Sequence, residues 1–315
     1  MGKRIAGINL AKNGSFVILN DGEIEFYLEE ERVTRSKRDV SAKTLTNKYI
    51  DSSIDALAIC DSFTRNNKKR YLERTKAKNE ICKIAKSKGC LSIIDYRQRH
   101  HECHAANAFY NSGFDDAVCV VMDGKGSFYT DDSVSKVSGF GDVGVSIKYA
   151  EIESIYDYSG KFTPLFKHYS TFWSEDETDL IDEPYWYKGN LYSNRVSVGE
   201  AFRNVSRYCG FEEIEAGKTM GLSAYGSGDV NLFNEEYGHS VCSKDLYAER
   251  DSTGYYGPSV KPEDLAYNLQ KSAERHVKFM INKTIELTGK NNICVSGGFF
   301  LNCVSNYSIL KNIDV

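Results

Sequence analysis

Ala117-Val118-Cys119-Val120-Val121-Met122-Asp123-Gly124-Lys125-Gly126-Ser127 decides how this chain is read. Six apolar residues in a row, without alternation, predict a strand buried on both faces. The run ends on a carboxylate and a glycine-rich turn, where backbone can approach a ligand closely. Further strands are expected around Phe128 and over residues 145–152. A related pattern opens the chain. Ile5–Leu10 reads as a buried strand and Phe16–Leu19 as a second. Asn20-Asp21-Gly22 tolerates positive φ and predicts a hairpin turn. Ile24, Phe26 and Leu28 then alternate with Glu23, Glu25 and Tyr27, giving a half-buried third strand. A buried strand, a small-polar turn and returning strands thus occur near residues 5–30 and again near 117–152. This is a loose internal repeat.

Outward from these two runs, residues 66–88 predict a basic helix with Tyr71, Leu72, Ile81 and Ile84 on one side. Ser92–Asp95 reads as a short strand and His101–Asn111 as a helix. Residues 153–197 are rich in Tyr, Trp, Asp and Glu with little period, and are expected to form an irregular insertion or lid. Its aromatics, Trp173, Tyr185, Trp186 and Tyr187, either stack on a sugar or base or pack the lid. Val198–Tyr208 and Pro262–Leu287 read as helices. Ile293–Val295 is a strand broken by Ser296-Gly297-Gly298, and a helix starts near Asn302. Duplicated meanders, each followed by helices, compose the actin-like ATPase (ribonuclease H-like) fold. The expected class is therefore α/β, divided at residues 1–116 and 117–315.

The chain has 315 residues, 41% of them apolar, with a net charge of −4. That is enough to build real cores, and there is no global basic field for a phosphate backbone. Nucleic acid is therefore disfavoured as a partner. Nine Cys, none in a CxxC pair, favour a reducing compartment over disulfides, a zinc ribbon or a metal–sulfur cluster. The N-terminus lacks the apolar stretch of a signal peptide, and no run reaches the length of a membrane span. A cytoplasmic protein is expected.

The sharpest chemical signal is His100-His101-Glu102-Cys103-His104. On a helix, His100 and His104 lie one turn apart on one face, and two imidazoles so placed can share a divalent metal. The plain alternative is a pair of surface or core histidines. Asp123 adds a carboxylate, and two neutral nitrogens plus a carboxylate suit Fe(II), Mn(II) or Zn(II). Ser296-Gly297-Gly298 sits between a strand and a helix, where glycines allow close approach of a phosphate or simply make a turn. Gly217-Lys218-Thr219 is not a P-loop, because residue 212 is Glu where GxxxxGK[ST] needs Gly. The run Glu29–Arg38 reads first as a solvated charged face; alternatively Arg32, Arg35 and Lys37 hold an acyl or adenylate phosphate. No GxSxG supports a serine hydrolase.

In order, the chain carries Gly7-Ile8-Asn9, Asp21-Gly22, Glu29–Lys37, His100–Tyr110, Asp123-Gly124, Gly217–Leu222 with Tyr225-Gly226, and Gly297-Gly298 with Leu301-Asn302-Cys303-Val304. This series resembles the O-carbamoyltransferases that decorate nodulation factors and antibiotics. Their catalytic domain is similar to the tRNA threonylcarbamoyltransferase subunit. The resemblance covers nearly the whole chain. It implies a duplicated actin-like fold with iron held by His100, His104 and Asp123. It also implies a phosphate or adenylate site among Arg32, Arg35, Lys37, Lys125, Lys218, Gly297, Gly298 and Asn302. In such enzymes a separate adenylate-forming domain joins carbamoyl phosphate and ATP, with Mg, into carbamoyl adenylate. The metal domain then moves the carbamoyl group to an acceptor hydroxyl on a small molecule, sugar or nucleoside. The base that takes the hydroxyl proton is not identifiable. Two departures are expected to matter. Lys12-Asn13 stands where the family carries a His in the first turn. The chain also stops where relatives add the last elements of the metal domain, with a further metal-ligating Asp, and the adenylate-forming domain. A second polypeptide completing the fold is the favoured explanation. The alternatives are a truncated product, a non-catalytic binding or regulatory relative, or a tRNA threonylcarbamoyltransferase-like protein. An actin-like sugar kinase is disfavoured, since kinases hold Mg(II) with oxygens.

Overall fold

The structure is a computed structural model that describes residues 2–11, 13–61, 68–90, 92–131, 147–170, 185–193, 196–228, 233–234, 239–240 and 261–312. Lys12 and Trp173 lie outside the described residues. The chain forms two compact units, residues 1–103 and 104–315.

The first unit contains β1 (Arg4–Asn9), β2 (Ser15–Asn20), β3 (Glu23–Glu29), α1 (Glu31–Thr34), α2 (Lys43–Tyr49), β4 (Ala56–Cys60), α3 (Lys68–Ser87) and β5 (Ser92–Asp95). The sheet order is β3-β2-β1-β4-β5. The meander β1–β3 is antiparallel, and β4 and β5 join in parallel. The expected hairpin turn forms with φ of 51° at Asp21 and 91° at Gly22. Positive φ at both central residues matches the twist of the strands they join. Phe16, Leu45, Leu57, Ile59 and Ile81 are buried in this unit's core. Helix α3 corrects one detail: Leu72 is exposed, and the buried face is Ile81 and Ala85. The acidic run is also not wholly a solvated face. Glu30 is fully buried. Its carboxylate accepts from the amides of Thr44 at 2.7 Å and Leu45 at 3.0 Å, capping the N-terminus of α2.

Helix α4 spans His100–Tyr110. The second unit continues with β6 (Ala117–Met122), β7 (Phe128–Asp131), β8 (Ile147–Tyr158), β9 (Phe162–Ser170), β10 (Tyr185–Tyr187) and β11 (Asn190–Ser193). Helices α5 (Val198–Tyr208) and α6 (Ala216–Leu222) follow. The ladder β12 (Phe233–Asn234) with β13 (His239–Ser240), then α7 (Pro262–Thr288), β14 (Ile293–Ser296) and α8 (Cys303–Asn312) complete it. The main sheet runs β10-β11-β9-β8-β6-β14, with β7 on β8. Its segment β9-β8-β6-β14 repeats the order and strand directions of β3-β2-β1-β4. The unbroken burial of β6 follows from cover on both sides. Val118 and Val120 face a core shared with α5 and α7, while Cys119 and Val121 pack against Ala105 and Phe109 of α4.

Residues 153–197 were expected to be irregular. Where described, they are regular strands β8 to β11. The period is hidden because several core-facing positions are polar. Glu153, His168, Ser193 and His276 are all buried. Glu153 Oε2 is 3.1 Å from His168 Nδ1, and Oε1 is 2.6 Å from His276 Nε2. His168 Nε2 lies 2.8 Å from Ser193 Oγ. This chain of contacts ties β8, β9, β11 and α7 together. Burial by itself would push the Glu153 carboxyl up. The charges and hydrogen bonds of His276 and His168 outweigh it and hold the carboxyl well below the usual range. No helix among the described residues is long and apolar enough to cross a membrane.

A carboxyl depressed by folding stabilises above its unfolded value of about 4.3, and that stabilisation fades as pH falls below it. Glu153→Gln should therefore lower the unfolding free energy in urea near neutral pH by about 3–5 kcal/mol, the usual cost of breaking a buried charged pair. The gap between parent and variant should narrow on acidification through about pH 4. A gap that stays constant with pH would show that Glu153 carries no charge in the fold.

Candidate metal centre

Helix spacing brings the first two candidate ligands together. His100 and His104 stand four residues apart on the continuous helix α4, on one face. Asp123 follows the last residue of β6, the strand on which α4 packs. His100, His104 and Asp123 each offer one ligand atom, and these atoms all lie within 4.8 Å of one another. All three side chains are half-buried.

The hydrogen bonds around the cluster set which atoms face inward. His100 Nδ1 is 3.3 Å from the carbonyl oxygen of Asp61. A carbonyl only accepts, so this contact puts the proton on Nδ1 and the lone pair on Nε2. His104 Nδ1 lies 3.4 Å from Ser296 Oγ, and its Nε2 is 3.7 Å from Asp123 Oδ2. Asp123 Oδ1 accepts from the amides of Gly124 at 2.8 Å and Gly298 at 3.3 Å. The other oxygen, Oδ2, is thereby turned toward His104. Two imidazole nitrogens and one carboxylate oxygen fit a first-row divalent cation such as Fe(II), Mn(II) or Zn(II). Ligands of one ion sit ~2.1 Å from it, so small side-chain rotations would close the cluster. Among the described residues no cysteine sulfur joins the set. The hydrogen bond to Cys60, and burial, push the Cys103 thiol up.

The glycines beside Asp123 have a steric cause. Gly297 has φ of 105°, and a Cβ there would stand 2.1 Å from the Met122 carbonyl oxygen. A Cβ on Gly298 would meet Asp123 Oδ1 at 2.8 Å. On the other side, a Cβ on Gly199 would be 2.8 Å from the Gly124 nitrogen. Ser197 caps α5 by accepting from the Glu200 amide at 3.1 Å, and its hydroxyl donates to the Gly124 carbonyl at 2.6 Å. Burial pushes the Glu200 carboxyl up, against the pull of Arg203 and Lys125.

The residues expected at phosphate stand on several elements of the two units. Arg32, Arg35 and Lys37 are exposed in the first unit. Arg32 lies near Glu29 and Glu31. Arg35, Arg38 and Ala42 hold left-handed φ of 58°, 61° and 45°, which marks a strained segment. It is fixed by Thr34 Oγ1 donating to Asp39 and by the Arg38 amide donating to Glu31. Lys125 is half-buried after the Asp123 turn. Lys218 sits in α6, paired with Glu215 at 2.7 Å and over the Phe211 ring. Asn302 is a helix cap: its Oδ1 accepts from the Ser305 amide at 3.0 Å, and its Nδ2 donates to Gln270 at 2.8 Å.

Sequence reasoning quoted Ser296 only as part of the glycine turn, with no role of its own, and did not single out Asp61. Ser296 was within reach of it, because parallel pairing of β14 with β6 sets Ser296 beside Val121, near the aspartate. Asp61 follows β4 at the strand's end, and its carboxylate, buried and bound by Arg74 Nη1 at 2.7 Å, is pushed by burial up to about 6 against the pull of Arg74, Arg97 and His100.

Comparison with known proteins gives the same direction. A family model described as the carbamoyltransferase N-terminus matches residues 42–241. Nodulation protein NolO of Bradyrhizobium diazoefficiens is 24% identical over 232 residues, covering 67% of this chain and 33% of that protein. Nodulation protein NolNO of Sinorhizobium fredii is 21% identical over 346 residues, covering 95% and 42%. An uncharacterised Synechocystis protein is 26% identical over 220 residues, covering 67% and 31%. The chain thus spans well under half the length of these relatives. A full-length HypF structure is 12% identical with a TM-score of 0.49, covering 100% of this chain and 52% of that one. A putative N-acetylmannosamine kinase from Listeria monocytogenes is 9% identical with a TM-score of 0.41, covering 98% and 90%. Scores this low add nothing to the strand order described above. The family match, spanning more than half of the chain and enclosing both histidines and Asp123, places this protein in the carbamoyltransferase family.

Proposed function

We propose that this chain is the acceptor side of an O-carbamoyltransferase, with a duplicated actin-like fold, moving a carbamoyl group from carbamoyl adenylate to a hydroxyl of a small molecule, sugar or nucleoside. The observation that carries the reading is the convergence of His100, His104 and Asp123 in a chain of this family. Fe(II), with Mn(II) or Zn(II) as alternatives, would be held by these three. When bound, it supplies Lewis-acid polarisation of the carbamoyl carbonyl. The acceptor hydroxyl oxygen bonds to the carbamoyl carbon, the bond from that carbon to the adenylate phosphate oxygen breaks, AMP leaves, and the hydroxyl proton passes to the departing phosphate or to water. The chain's own part is to fix the ligands. The Gly124 and Gly298 amides orient the Asp123 carboxylate, and the Asp61 carbonyl sets the His100 tautomer. Phosphate binding is assigned to the preset basic segment with Arg32, Arg35 and Lys37, and to Lys125.

The donor is made from carbamoyl phosphate and ATP, with Mg, by an adenylate-forming partner. One feature supports such a partner. In the first sheet β4 pairs with β5, whereas among the described residues no strand lies on the outer side of β14. In the segment that follows β14, Leu301, Val304, Tyr307 and Leu310 are exposed at a spacing of three residues.

Two measurements test this reading. In anaerobic titration with Co(II) as probe, the parent chain should bind one ion, and His104→Ala should lose it. Gly298→Ala, which crowds Asp123 Oδ1, should keep the fold and weaken binding by about 10–100-fold. With an adenylate-forming partner, labelled carbamoyl phosphate and ATP, transfer to a hydroxyl acceptor should require this chain. It should fall at least about a hundredfold in His100→Ala, while pyrophosphate release continues. Transfer that survives removal of both histidines would overturn the reading.

A further inference from the structure

We infer that Asp61 and Arg74 form a positioning pair for the metal centre, holding the Asp61 carbonyl on His100 Nδ1 and so aiming Nε2 of His100 at the ion. The inference rests on the metal reading above.

Four observations carry it. The Asp61 side chain has no exposed surface, although it ends a strand where a carboxylate would ordinarily reach water. Its Oδ1 accepts from Arg74 Nη1 at 2.7 Å, and Arg74 is itself only 15% exposed. Its Oδ2 is buried and has no hydrogen-bond partner among the described residues. The peptide carbonyl of the same residue contacts the first histidine of the cluster at 3.3 Å.

Burying an ion pair costs several kcal/mol per ion, and a well-packed apolar pair would hold a strand to a helix as firmly. A carboxylate with one oxygen unsatisfied therefore needs a reason beyond fastening α3 to β4. The carbonyl supplies one. Strand pairing fixes Cys60, whose carbonyl accepts from the Leu10 amide at 3.0 Å. The ladder of β4 ends there, since Asp61 is past its last residue. The direction of the Asp61 carbonyl is then set by how its side chain is tethered, and Arg74 on α3 is the tether. A metal-bound imidazole is ordinarily oriented by an acceptor on its second nitrogen, and loss of that acceptor costs about 10–100-fold in affinity. The contact at 3.3 Å is long for a hydrogen bond and leaves room to tighten once the ring binds an ion.

The test uses the full chain and Co(II). Asp61→Asn and Arg74→Met should each weaken Co(II) binding by about 10–100-fold. The double variant should be no weaker than either, because both substitutions release the same carbonyl. Lys78→Met, on the same helix, breaks the outer pair with Asp95 (2.8 Å) and should leave affinity unchanged. A second readout needs no substitution. With ¹⁵N-labelled histidine, His100 of the parent should show the Nδ1-protonated tautomer, and Asp61→Asn should lose that preference. If both variants lose thermal stability yet bind Co(II) as tightly as the parent, the pair is only structural and the inference falls. An Nε2-protonated His100 in the parent also overturns it. A parent that binds no Co(II) instead fails the metal reading itself, a result distinct from either.

Discussion

The approach of Gly297 to Met122 is the constraint on which the second unit depends. Parallel pairing sets β14 beside β6 over Ile293–Ser296 and Val118–Val121. One residue further on, the backbones come so close that a Cβ at Gly297 would stand 2.1 Å from the Met122 carbonyl oxygen. Only a residue without Cβ, at φ of 105°, passes there. The close passage puts the Gly298 amide 3.3 Å from Asp123 Oδ1 and Ser296 Oγ 3.4 Å from His104. Two contacts that orient the cluster thus come from one turn. The glycine pair, read from sequence as a phosphate approach or a plain turn, has a third explanation in backbone packing.

Much of the frame was legible because it is local. The Asp21-Gly22 turn, the unbroken run of β6 and the helix over Val198–Tyr208 each announce themselves through φ preference or period. The shared face of His100 and His104 was legible for the same reason, since helix spacing alone sets it. Asp123 could be named because an abrupt carboxylate after a buried strand is unusual. What sequence hid was non-local. Glu30 sits in a charged run that looks solvated, yet it caps a helix whose first residue lies thirteen positions later. The strands β8 to β11 failed to show a period because Glu153, His168 and Ser193 satisfy one another inside the core. A buried polar residue is indistinguishable in sequence from a surface one until its partner is known.

The repeated strand order gives the two sheets the same plan and different contents. In the first, β4 leads into a buried carboxylate, Asp61, tied to α3. At the equivalent place in the second, β14 leads into Gly297 and Gly298. The plan is a matter of strand pairing, and the contents are a matter of what each strand end must approach. Asp123, just past β6, stands 3.7 Å from His104 Nε2 on α4. β14 ends on glycines because it must clear that same carboxylate.

A carboxylate flanked by glycines on both neighbouring segments has little steric freedom to wander. Gly124 and Gly298 supply amides to Oδ1, and Gly199 lets the start of α5 press against the Gly124 turn. The Ser197 hydroxyl closes the arrangement by binding the Gly124 carbonyl while its oxygen caps α5. Backbone amides held by packed strands and a helix end move less than side chains would, so Oδ2 stays aimed at His104 without help from an ion. Donor atoms fixed in advance by backbone contacts spend little on ordering, which is the condition for a tight cation site.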